Sequence, residues 1–116
     1  MRQAGIIAAC GIVALETMVR RLADDHANAR TLAEAVNAIP SLSVDMATVE
    51  TNMVYVDHSP SGLDTADVLS RLKAAGVLAS GRPPRHIRLV THRHYGPSDM
   101  IEAAARIRAS IAGGAR

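Results

Sequence analysis

The chain has 116 residues, 48% of them apolar and 21% charged, a balance that fits one soluble globular domain and excludes a disordered chain. A net charge of +2 is too small to imply nucleic-acid binding. Phe and Trp are absent and Tyr55 and Tyr95 are the only large aromatics, so each apolar side chain buries little area and the core is expected to be thin.

Residues 3–38 have helical composition, with no proline until Pro40. Nothing is charged from residue 4 to residue 15, so that helix is apolar all round and is expected to be covered on every side. The uncharged run is too short to span a bilayer, and the following residues continue as amphipathic helix without a signal-peptide cleavage region. No membrane partner is expected, and the cytoplasm is the expected compartment. Cys10, the single cysteine, rules out an internal disulfide; its apolar surroundings predict a buried structural thiol. Beyond Leu15 the positions Met18, Val19, Leu22, Ala29, Leu32 and Val36 keep helical spacing. The spacing predicts two helices, or one bent near Glu16 and Thr17, with Asp24 and Asp25 on a solvated face.

After Pro40 the pattern turns to strands. Residues 42–44 are a short candidate, and residues 53–57 alternate, with Val54 and Val56 on one face and Met53 and Tyr55 on the other. Ser59 to Gly62 make a turn, and Asp64 or Thr65 caps a helix ending at Gly76. Residues 77–79 are expected as a strand and residues 81–84, Gly-Arg-Pro-Pro, as a loop. A strand over residues 86–91 follows, then a helix from Ser98 that frays at Gly113 and Gly114. This order predicts a two-layer α/β sandwich, a small sheet of three to four strands packed by helices, preceded by a long apolar N-terminal helix.

Within the last strand Ile87 and Leu89 share one side and Arg88 and Val90 the other. A guanidinium beside apolar strand residues is costly to bury unless an anion meets it. Arginine's planar fork grips a carboxylate through two parallel hydrogen bonds, so Arg88 asks for an anionic partner. The alternative is a strand-end arginine snorkelling to solvent. Other candidates are weaker. His92 and His94 have no third ligand and flank Arg93, so no metal site is expected and the histidines are expected at the surface. Lys73, the only lysine, falls opposite the apolar side Val68, Leu69 and Leu72 of its helix and is expected to be exposed. Ser59 and Ser61 lack an identifiable base. No catalytic residue is assigned.

Five stretches in order carry a resemblance: Met1-Arg2-Gln3-Ala4-Gly5-Ile6-Ile7-Ala8-Ala9, Asp25-His26-Ala27-Asn28-Ala29-Arg30, Thr51-Asn52-Met53-Val54, Gly76-Val77-Leu78, and Ile87-Arg88-Leu89-Val90-Thr91-His92. Together they resemble the C-terminal small domain of low-specificity L-threonine aldolases, of the β-eliminating-lyase group of fold-type I pyridoxal-phosphate enzymes. Arg82 to Arg85 and His94-Tyr95 depart from the family's pattern. The resemblance implies that Arg88 binds the substrate α-carboxylate, and that Arg2 lies near the cofactor end of the active site. It implies cleavage of β-hydroxy-α-amino acids, threonine to glycine and acetaldehyde, with pyridoxal phosphate as the electron sink in the full-length enzyme. Residues 1–16 would connect to a large domain and residues 17–112 form the sandwich, with 113–116 a frayed tail. The Schiff-base lysine and phosphate-binding residues belong to that large domain, so this chain alone is expected to bind no cofactor and to be inactive. Its expected partners are an amino-acid substrate, the large domain and a neighbouring subunit of a homo-oligomer. The alternatives are the small domain of another fold-type I enzyme, a non-catalytic amino-acid-binding module, or a structural protein pairing through the apolar helix.

Overall fold

The computed structural model describes residues 2–112; the tail expected at 113–116 and any statement about Met1 as a start lie outside the described residues. Helices α1 (Ala4–Thr17) and α2 (Leu22–Asn37) precede strand β1 (Met53–Asp57). Helix α3 (Thr65–Ala74), strands β2 (Ser80–Arg82) and β3 (His86–Val90), and helix α4 (Pro97–Ala112) follow. The strands form one antiparallel sheet in the order β1-β3-β2. Helix α2 packs on β1 and α4, and α3 packs on β2, β3 and α4, so three helices cover one face of the sheet. The architecture is the expected two-layer α/β sandwich, with three strands.

Alternation positions the sheet. Val54, Val56, Ile87 and Leu89 are buried under Leu32, Val36, Val68, Leu72, Met100 and Ile107, while the intervening side chains face away from the helices. Asp64 caps α3 by accepting the Asp67 backbone N–H at 2.8 Å. The helix leaves through Gly76, whose φ of 79° suits a residue without Cβ. The Gly76 N–H donates to the Lys73 carbonyl and the Val77 N–H to the Leu72 carbonyl, at 3.0 and 2.8 Å.

That exit moves the strand expected at residues 77–79. The Val77 N–H is committed to the helix, and pairing with β3 begins only at Ser80. Gly81 and Arg82, expected in a loop, belong to β2, and the turn occupies residues 83–85. Gly81 suits its place because a Cβ there would stand 3.0 Å from Thr65 Cγ2 under α3. The strand expected at 42–44 is reduced to one bridge, Ser43 to Asp57, because the Val44 N–H turns to Asn37 Oδ1 at 2.9 Å.

The N-terminal region departs further from expectation. Helix α1 has no buried residue within this chain: Ile6 is 67% and Leu15 72% exposed. Cys10 is exposed with it, because nothing in the described residues lies over the helix that carries it. The break between helices falls at residues 18–21, and Val19 and Leu22 are exposed, so the buried stripe of α2 begins only at Asp25. Asp25 is therefore not on a solvated face; it is buried and ion-paired with Arg21 one turn back. His58 is likewise no surface histidine: it is fully buried, with Nε2 3.0 Å from Thr65 Oγ1.

Candidate carboxylate-binding site

The face of the sheet turned away from the helices carries the polar residues of all three strands. The register places Tyr55, Arg88 and Ser80 in one row across the sheet, with Arg88 on the central strand. The next row holds Asp57, His86 and Arg82, and on the other side Met53 pairs with Val90. Directly opposed side chains in an antiparallel ladder point to the same face, so these rows form one continuous surface.

Arg88 is half-buried. Its Nη2 donates to Ser80 Oγ at 3.4 Å, a long hydrogen bond to a neutral acceptor. Its Nε is shielded from solvent and has no hydrogen-bond partner. Among the described residues the close ion pairs are Arg21–Asp25 and Arg106–Glu102; none includes Arg88. The acid in the neighbouring row, Asp57, is engaged elsewhere: its Oδ1 accepts the Ser59 N–H at 2.7 Å. Hydrogen bonds from the Ser59 side chain and backbone hold the Asp57 carboxyl below its usual range; the nearby His86 and His58 add to this and burial opposes it. A cation in this state is electrostatically incomplete, and a planar anion offering two oxygens is the partner its geometry suits.

The other candidates do not join it. Arg2 is exposed in the turn ahead of α1, and no hydrogen bond or ion pair ties it to Arg88 among the described residues. Lys73 is exposed on α3, whose buried residues Val68 and Leu72 face the helical side of the sheet, away from Arg88. His92 and His94 are exposed, and no metal-holding cluster of His, Cys, Asp or Glu occurs among the described residues. A cleft of about 440 Å³ opens beside α4, lined in part by Leu78, His92, Tyr95, Asp99, Glu102 and Arg106; Arg88 does not line it. Arg106 is paired there with Glu102, and Asp99 accepts the Gly96 N–H.

Residues to which the sequence assigned no individual role at the site hold its strand in place. The Thr91 hydroxyl donates to the Asp25 carbonyl at 2.7 Å, and the Thr91 N–H to the Asn52 carbonyl at 2.9 Å. Asn52 Nδ2 returns a hydrogen bond to the Thr91 carbonyl at 2.8 Å, and Asn28 Nδ2 bonds the Tyr95 carbonyl at 3.0 Å. Three stretches far apart in the chain thus meet three residues beyond Arg88.

The chain is similar to known proteins over most of its length. Residues 1–59 match the family described as Beta-eliminating lyase. The chain is 39% identical over 102 residues to a probable low-specificity L-threonine aldolase 2 of Arabidopsis thaliana, a match covering 86% of this chain and 28% of that protein. It is 39% identical over 113 residues to the low specificity L-threonine aldolase of Escherichia coli (strain K12), covering 97% of this chain and 32% of that one. The chain therefore spans about a third of the length of these relatives. Among solved structures, that of MppP soaked with the product 2-ketoarginine superposes with a TM-score of 0.64 at 14% identity, over 85% of this chain and 30% of the other. That likeness concerns the fold alone.

Proposed function

The chain belongs to the Beta-eliminating lyase family, and from that premise we propose that it forms the small domain of a threonine-aldolase-like lyase, with Arg88 as the anchor for the substrate carboxylate. The sandwich domain begins after the break at residues 18–21, and α1 (Ala4–Thr17) is the helix that connects it to the rest of the enzyme. The observation that carries the reading is the half-buried guanidinium of Arg88, which meets no carboxylate among the described residues. A bidentate grip on the α-carboxylate fixes two points of a β-hydroxy-α-amino acid. Rotation about the bond to Cα then sets the direction of the Cα–Cβ bond that the reaction breaks. Placement on the central strand, hydrogen-bonded on both sides, makes the anchor rigid.

Pyridoxal phosphate, which the family implies, does not fit these residues taken alone. The single lysine lies on the helical side and Arg88 on the open face, so the two form no joint pocket for an aldehyde and a phosphate among the described residues. Binding of that group is assigned to the remainder of the enzyme, and Arg2 to its periphery on resemblance alone. The 116 residues by themselves, with pyridoxal phosphate added, are expected to cleave threonine no faster than the free cofactor does. The bare apolar surface of α1 supports the same reading, since a helix without a polar face requires cover from other parts of the assembly.

Complementation tests the proposal. These residues replace the matching 113-residue stretch of the Escherichia coli threonine aldolase, and acetaldehyde release from threonine is measured. Release by the chimera supports the assignment; a folded, cofactor-loaded chimera that releases none contradicts it.

A further inference from the structure

We propose that Ser80 and Arg88 act as one two-residue carboxylate receptor, in which the Ser80 hydroxyl both steadies the guanidinium and donates its own proton to the bound anion. The inference rests on the reading of Arg88 as an anion anchor and adds a second ligand-contacting residue to it.

The two residues are direct partners in the β2–β3 register and project from the same face. Ser80 Oγ accepts from Arg88 Nη2 at 3.4 Å, a distance that orients the guanidinium without saturating it. A serine hydroxyl carries one donor besides its acceptor lone pairs, and among the described residues the Ser80 O–H has no acceptor. Arg88 Nε is closed to solvent, so the edge of the guanidinium open to a ligand is the one formed by its Nη atoms, next to Ser80. A carboxylate arriving there meets one N–H from each Nη with its two oxygens, and the serine O–H donates to the nearer oxygen as a third contact. Tyr55, on the opposite flank of Arg88, does not compete, since its hydroxyl is directed to Met53 Sδ at 3.8 Å. The arrangement favours a planar two-oxygen anion over a spherical one of the same charge.

The test is a titration of the isotopically labelled chain with acetate, against sodium chloride at equal ionic strength. It follows the Arg88 Nε–H and Ser80 amide signals by nuclear magnetic resonance. Saturable shifts with acetate and none with chloride are expected for the unmodified chain. Ser80→Ala and Ser80→Cys should each weaken acetate binding about three- to tenfold, the range of one hydrogen bond to a charged group. Ser80→Thr, which keeps the hydroxyl, should stay within about twofold of the original. Acetate affinity unchanged in folded Ser80→Ala or Ser80→Cys would overturn the role of Ser80 and leave that of Arg88 standing. Absence of any saturable response in the unmodified chain would overturn both.

Discussion

The Thr91 side-chain oxygen lies 2.7 Å from the Asp25 carbonyl, joining the end of the strand that carries Arg88 to the first buried turn of α2. Both residues are buried, so neither group can turn to water if the bond is lost.

Thr91→Val keeps the shape and removes the donor. Its expected cost is about 0.5–1.5 kcal/mol in chemical denaturation, the net worth of one hydrogen bond, because the Asp25 carbonyl keeps its place in the α2 ladder. Thr91→Ser should recover most of it, because the hydroxyl rather than the methyl makes the contact.

Asp57 gives a pH signature. Its carboxyl is held below its ordinary value in the folded chain by the hydrogen bonds from Ser59, so it contributes stability that is present above the unfolded carboxylate value. That contribution disappears as pH falls through the lowered value. Asp57→Asn should therefore be less stable than the original chain at neutral pH, with the difference shrinking once pH falls below about 4. Denaturation midpoints measured from pH 7 to pH 2 check this, and a difference independent of pH would contradict it.

The contrast between α1 and the core is equally measurable. Ile87 is 1% exposed, and Ile87→Ala should cost about 2–5 kcal/mol through lost burial and a residual cavity. Ile6→Ala, on a helix with no buried residue, should change stability of this chain by less than about 0.5 kcal/mol. Denaturant titrations of the two variants test the pair together.

Period-two alternation made β1 and β3 legible in the sequence, because each sets two large aliphatic residues against one face. It also set Arg88 and Val90 on the side of the strand opposite Ile87 and Leu89. Strand β2 was not legible: three residues containing a glycine and an arginine have no pattern, and their pairing is dictated by the helix exit at Gly76. Ser80 was missed for the same reason. The signal that could have found it is the symmetry of the hairpin, since counting outward from the three-residue turn at 83–85 sets Ser80 opposite Arg88. Asp25 was taken for a solvated acid because its ion pair lies one helical turn back and its link to Thr91 runs through the backbone carbonyl. Cover for α1 was expected from its composition, and no described residue of this chain buries it.

Gly76→Ala tests the exit that sets the register of β2. The residue has φ of 79°, and a Cβ there would come within 2.8 Å of Arg106 Nη1, the mobile end of a long side chain. Backbone strain should dominate, costing about 1 kcal/mol or slightly more, and Arg106→Ala in the same chain should relieve little of it. A double-variant cycle separates the two effects.

The central claim is that Arg88 holds the carboxylate of an amino-acid substrate, and kcat/KM of the chimeric aldolase for threonine measures it most directly. Arg88→Gln removes the charge and both parallel donors, so kcat/KM should fall about 100-fold or more, with Arg88→Lys recovering only part of the loss. A value for Arg88→Gln within about threefold of the parent chimera, less than the loss of one ordinary hydrogen bond, would contradict the account.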